Sequence, residues 1–178
     1  MTLDGKAILL HGGAIALAAS ALILLALRLN PRLFLKHFPR KVIEAQPPLS
    51  RAETAAGYWL ALPLFLVLVG GPTASTLIVA GGKGTPQDPL SLWVHAFLVG
   101  MVFNLFDWIV LDEGLLGIGK PRWALPPGVT LEDVTPFEHG RHFADFLKGV
   151  IFCAVVALIA SGAAIAAAAL GWSGGSEL

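Results

Sequence analysis

Asn104, Asp107 and Asp112 stand in the otherwise apolar run FNLFDWIVLDEG, and His139, His142 and Asp145 follow in EHGRHFADFLKG. Carboxylates and imidazoles bind divalent metals, exchange protons near neutral pH, and pair with one another when withdrawn from water. At roughly 100° per residue, Gly100, Asn104, Asp107 and Leu111 share one face of a helix. Glu138, His142, Asp145 and Gly149 share one face of another, with His139 beside them. A carboxylate paired with His142 is the natural way to hold both groups in a low-dielectric setting. Asn104, Asp107 and Asp112 from one helix, with His139, His142 and Asp145 from the next, are therefore the expected binding cluster.

Four uses of such a cluster compete. Asp107 and His142 would serve as ligands of a divalent metal, which would activate water or grip a lipid phosphate. An Asp–His pair would relay protons in a coupled transporter. The cluster would bind a phospholipid headgroup with Arg122, Trp123 and Arg141 as further contacts. Or it would act as an interhelical clasp that fixes helix register. The metalloprotease pattern H-E-x-x-H is absent, since His139 and His142 are three apart and Glu138 precedes both. A second pair, His11 and His95, lies at similar depth in two apolar runs, where opposed imidazoles would ligate a b-type haem.

The elements that must position these groups are long apolar runs. Of the 178 residues, 56% are hydrophobic and 13% charged, with mean hydropathy +0.74, whereas about 25% of residues are charged in soluble domains. Charged residues are missing from 7–27, 54–82, 89–106 and 149–176, each close to or beyond the ~20 residues that cross a bilayer as helix. The sequence predicts an all-α, polytopic membrane protein with four transmembrane helices in a compact bundle. The expected spans are about 7–28, 51–81, 89–112 and 136–171 in one transmembrane domain, 1–178, with loops at 29–50 and 113–135. Cys153 is the only cysteine, which excludes disulfides within one chain. The first run is too long for a signal peptide and its basic cluster follows it, so it reads as a true span.

Charge fixes the expected orientation. Ten of the 12 Lys and Arg residues lie in or beside the two long loops, and Lys6 and Lys83 on the other side. By the positive-inside rule both termini are outside and both loops cytoplasmic, in the inner membrane of a bacterium. Arg28, Arg32, Lys36 and Arg40, spaced by four, predict a short interfacial amphipathic helix after the first span, lying on an anionic leaflet. Ser50–Glu53 reads as a capping box opening the second span, and Thr135–Glu138 as another opening the fourth. Pro63 and Pro72 predict a kink near 68–72, with Thr73, Ser75 or Thr76 satisfying freed carbonyls. The proline-rich segment 114–134 is expected to lie at the interface and partly cover the cluster.

Small residues mark the packing faces: Gly149, Cys153, Ala157 and Ser161, then Ala154, Leu158, Gly162 and Ala166, on span four, and Gly12, Ala16 and Ser20 on span one. The expected partners are the lipid bilayer and, through these stripes, a second copy or another membrane protein. No nucleic-acid partner is expected. The first functional expectation is a non-enzymatic accessory or small transport-type protein binding an ion or lipid headgroup. The alternative is a membrane-embedded, metal-dependent enzyme acting on a lipid-borne substrate, with Asp107 and His142 as ligands or acid–base pair and Arg122 steering phosphate.

The pattern N-x-x-D-x-x-x-x-D at 104–112, a proline-containing loop ending in PPG at 126–128, and H-F-x-x-F-x-K-G at 142–149 resembles a group of small bacterial four-helix integral membrane proteins without an assigned activity. The likeness spans Phe103 to Gly149. It implies that Asn104, Asp107, Asp112, His142 and Gly149 belong to a family pattern, and it brings no substrate or cofactor.

Overall fold

The computed structural model describes residues 3–81, 88–135 and 138–172, which form helices and connecting turns, with no strand among them. Four helical rods are long and apolar enough to cross a membrane: Gly5–Leu29, Arg51–Gly81, Pro89–Gly119 and His139–Ala169, here spans one to four. At about 1.5 Å per residue even the shortest exceeds the ~30 Å of a hydrocarbon core. The chain is a multi-pass helical bundle. We call the end carrying residues 30–50 and 120–135 the loop end, and the other the terminal end. Lys83, one of the two cations assigned to the terminal side, lies outside the described residues.

Span three is the spine, packed along spans one and four. Ile8, Ile15 and Val99 form one buried cluster, with Val102 and Phe103 against it, and Ala96, Ala157 and Ala160 form another under the stacked rings of Trp93 and Phe97. The small-residue stripes make these approaches possible where lipid supplies no hydrophobic drive. A Cβ on Gly12 would come within 2.7 Å of Val102, and one on Gly149 would collide with the Asn104 amide. The Cys153, Ala157 and Ser161 stripe is buried inside the bundle, whereas Leu158, Gly162 and Ala166 face outward.

Span two is irregular beside its prolines. Its helix is α over Arg51–Phe65, widens to a π-helical stretch at Leu66–Gly70, and returns to α at Gly71–Gly81. The wide turn accommodates Pro72, and the Thr73 and Thr76 hydroxyls donate to the carbonyls of Val69 and Pro72, each at 2.7 Å. The Ser50–Glu53 capping box forms in full.

Three expectations need correction. First, Thr135 does not cap span four: its hydroxyl donates to the Leu131 carbonyl at 2.8 Å, and the helix starts after Glu138 without a side-chain cap; residues 136–137 between them lie outside the described residues. Second, the short helix expected after span one forms over Pro31–His37 with Asn30 as its N-cap, but it is a 3-10 helix, and the short helix Arg40–Ala45 follows it. Three residues per turn breaks the four-residue spacing of the cations. Arg32 is consequently drawn inward, its Nε 2.7 Å from Glu53 Oε1, its Nη1 donating to Gln46 Oε1 and its Nη2 to the Pro47 carbonyl. It ties the first loop to the start of span two.

Third, the helix of span three does not stop near residue 112, where the span is expected to end. It continues as a π-helix from Asp107 to Gly119 and stops where Lys120 turns left-handed at φ 42°, its N–H donating to the Leu115 carbonyl five residues back. The loop expected from 113 therefore begins at Lys120. Runs of π-helix are rare and cluster at functional sites. Here the run changes which side chains share a face.

Candidate binding cavity at the loop end

A cavity of about 320 Å³ opens at the loop end of the bundle. Its deep walls are apolar: Ile23, Leu24 and Leu27 from span one, Leu64 and Leu68 from span two, Phe103, Leu111 and Leu115 from span three. Phe34 and Phe38 from the first loop, with Pro121, Leu125 and Val134 from the second, roof it over. Residues of the proline-rich loop thus line the site. One wall is polar and comes from spans three and four.

The wide turns of span three build that wall. On an α-helix, residues five apart would point about 140° away from each other. With each N–H bonded five residues back, Asp107 and Asp112 instead both reach the cavity. Asp112 Oδ2 lies 3.2 Å from Nδ1 of His142, whose residue is only 4% exposed. Asp107 makes no hydrogen bond or ion pair to any described residue, although it stands close enough to Asp112 and His142 to feel their charges. The neighbouring Trp108 stacks on Phe146 at 4.7 Å, and its buried indole N–H has no acceptor.

The other expected site residues divide. Asn104 lines the cavity but acts as a clasp, its Nδ2 donating to the Phe146 carbonyl at 3.2 Å across spans three and four. His139 pairs with Glu113 at 2.6 Å on the exposed side, and Asp145 at the cavity edge pairs with Lys148 at 2.6 Å. Arg141 is not available as a headgroup cation. Its Nη1 donates to the Phe38 carbonyl at 2.6 Å, its Nη2 to the His37 carbonyl, and its Nε lies 3.1 Å from Glu138. It staples the first loop over the cavity.

Arg122 and Trp123 do not line the cavity; Trp123 lies instead beneath the Arg28 guanidinium at 5.9 Å. In their place the rim carries His37 and Lys120, which nothing in the sequence pattern singles out, because their position follows from the loops folding back. His37 is exposed on one side, and the protein packed behind it, with Lys36 nearby, holds its imidazole below the usual histidine range. Among the described residues, no three His, Cys, Asp or Glu side chains are grouped so as to hold a metal ion. Asp107 and His142 would need a third ligand from elsewhere.

The haem geometry is not what joins His11 and His95. Ser75 stands between them, its Oγ 2.7 Å from His11 Nδ1 and 2.9 Å from His95 Nε2, and it fills the space that a macrocycle would need. The usable signal was depth: each residue is six positions from its helix end at Gly5, Gly81 or Pro89. Comparison of the chain with protein-family models, with curated proteins and with solved structures found no match.

Proposed function

We propose that the protein is a bacterial inner-membrane protein, with both termini outside, that binds a lipid-like molecule bearing a small hydroxylated head in the loop-end cavity. The observation that carries the reading is Asp107, a carboxyl without a hydrogen bond in a cavity whose deep walls are aliphatic and aromatic. Beside it, the Trp108 indole N–H lacks an acceptor. A half-buried carboxyl and a buried indole N–H that find no partner within the protein are each destabilising unless something fills them. A ligand hydroxyl can donate to Asp107 while an apolar chain occupies the space beside Leu24 and Leu68.

The bacterial setting rests on the likeness of 103–149 to small bacterial membrane proteins, and the orientation on the ten cations at the loop end. With Asp107, Asp112, Asp145 and Glu138 around the cavity against His37, Lys120, His142 and the committed Arg141, the lining carries no surplus of free cations for a phosphate. The ligand class is accordingly a neutral head group. A second reading, a membrane-embedded enzyme, is favoured by one observation: Asp112 orients a buried imidazole beside a free carboxyl, as a general acid–base pair requires.

Native mass spectrometry of the protein purified in mild detergent tests the reading. A stoichiometric adduct of apolar character is expected, reduced about tenfold or more in Leu24→Trp, which fills the cavity, and in Asp107→Ala, which removes the acceptor. Protein that carries no such adduct, and binds none from a membrane lipid extract, ends the proposal. Chemical conversion of the adduct that is lost in His142→Ala would select the enzyme.

A further inference from the structure

The two halves of span two join the bundle differently. Its terminal half, Gly71–Gly81, packs against spans three and four and buries Pro72, Ser75 and Thr76. Its loop-end half, Arg51–Phe65, buries no residue and packs chiefly against span one and the first loop. Leu64 of this half, with Leu68 in the π-helical stretch beyond it, nevertheless lines the loop-end cavity, opposite His142, Asp145 and Phe146 of span four. We infer that a lipid dissolved in the membrane enters that cavity sideways, from the leaflet at the loop end, between the loop-end half of span two and span four. The inference rests on the neutral, hydroxylated lipid proposed above and adds its source and its route.

The water-facing side is held by polar bonds. Arg141 donates to the carbonyls of His37 and Phe38, Lys41 to the carbonyl of Glu132 at 3.2 Å, and Gln46 to the carbonyl of Pro127 at 3.0 Å. The two loops are thereby tied to each other and to span four over the roof residues Phe34, Phe38, Leu125 and Val134. A lipid passing this way would break several of these bonds and carry its chain through water, where each methylene is unfavourable. The bilayer-facing side is apolar instead. Leu64 and Leu68 are half-buried, and Leu62, Phe65 and Leu66 beside them are 52%, 56% and 60% exposed. When such side chains part from a neighbour in a membrane, hydrocarbon replaces hydrocarbon, so opening here meets little hydrophobic resistance.

The loop-end half of span two is pinned at both ends. Arg32 Nε lies 2.7 Å from Glu53 Oε1 at the loop side. On the other side Gly71 meets span one so closely that a Cβ there would come within 2.7 Å of Ile15. Between these pins Pro63 removes one helix hydrogen bond and Leu66–Gly70 is π-helical, so the stretch is built to bow. The size of the cavity agrees. Its volume of about 320 Å³ lies at the low end of the roughly 300–1,000 Å³ of small-molecule sites, room for a head and the first part of a chain. The rest of a lipid chain needs an apolar exit, and the gap beside Leu64 and Leu68 supplies one that is continuous with the bilayer.

Photolabelling of the full chain in phosphatidylcholine vesicles tests the route. The probe is a diacylglycerol with a diazirine midway along one chain, flashed at intervals after mixing, and the label counted is the part displaced by excess unlabelled diacylglycerol. Displaceable label is expected on residues 61–68 of span two. Joining the two loops with a thiol cross-linker, in Gln46→Cys with Pro127→Cys on a Cys153→Ala background, should change the rate of labelling less than twofold against the same protein before cross-linking. Lys41→Cys with Glu132→Cys makes the same junction, should the first pair fail to fold. A tenfold or greater fall on joining the loops, or displaceable label on Phe34, Phe38, Leu125 or Val134 in place of span two, overturns the side entry and leaves the ligand reading standing. Displaceable label nowhere in the chain ends both.

Discussion

The two ends of the bundle handle buried polar groups in opposite ways. At the terminal end, Ser75 is bonded to both histidines and links three helices. At the loop end, His142 and Asp112 are paired, yet the Asp107 carboxyl faces the cavity without a hydrogen bond and the buried Trp108 indole N–H has no acceptor. Buried polar groups are ordinarily satisfied, because leaving one open costs about 1–3 kcal/mol. A closed network is complete without a visitor, whereas an open one is shaped for something that arrives. The contrast also separates packing from function: Asn104, adjacent in sequence to the open wall, is fully used in holding spans three and four together.

The largest effect should come from breaking that clasp, since both ends depend on span three staying in place. Gly149→Ala drives a methyl into the Asn104 amide, whose Cγ would be 2.7 Å away. Overpacking of this kind costs about 1–3 kcal/mol. Unfolding in mixed detergent micelles measures it. The double variant with Asn104→Ala should recover much of the loss, because removing the amide makes room, and strictly additive losses would show that the two residues do not share this contact.

A medium effect, opposite in sign at the two ends, sharpens the comparison itself. Ser75→Ala removes two hydrogen bonds and should lower stability by about 0.6–2 kcal/mol, the range for interhelical bonds in membranes. Asp107→Asn removes an ionisable group that has no partner, so the empty protein should melt at the same temperature or higher. Thermal unfolding of the two variants side by side decides the matter. A loss in Asp107→Asn as large as in Ser75→Ala would mean that Asp107 is structural and the cavity is no site.

Much of the architecture was legible because it follows from single-residue properties. Four uncharged runs give four spans, Ser50 and Glu53 give a cap, and Pro72 gives an irregular turn beside which Thr73 and Thr76 donate to the Val69 and Pro72 carbonyls. Patterns that assumed an α-helix were less durable. Arg28, Arg32, Lys36 and Arg40 form a stripe only at 3.6 residues per turn, and the chain there has three. Asp107 and Asp112 meet in the cavity wall only because span three widens, and the sequence carries no periodic signal of that change. The contacts of Arg141 and His37 with the roof, and of Ser75 with both histidines, join residues 20 or more apart. Such contacts depend on how rods and loops pack, which matched depth hints at but does not determine.

The smallest effect concerns the cavity rim. His37 sits below its ordinary value of 6.5 because packing behind it and the charges of Lys36 and Arg141 disfavour the imidazolium, against a partial pull from Asp112 and Asp145. A histidine depressed in the folded state binds fewer protons there than when unfolded. Its contribution is whole above pH 6.5 and is lost as pH falls below it. Solvent screening at this exposed ring keeps the change to about 0.5 kcal/mol or less. His37→Gln preserves the main-chain carbonyl that Arg141 uses, so the roof stays stapled. Melting curves at pH 7.5 and 5.5 should therefore show a slightly larger drop for the wild type than for His37→Gln. An equal or smaller drop would mean that the protein behind His37 does not resist its charging, and that the rim of the cavity is as open to water as its surface.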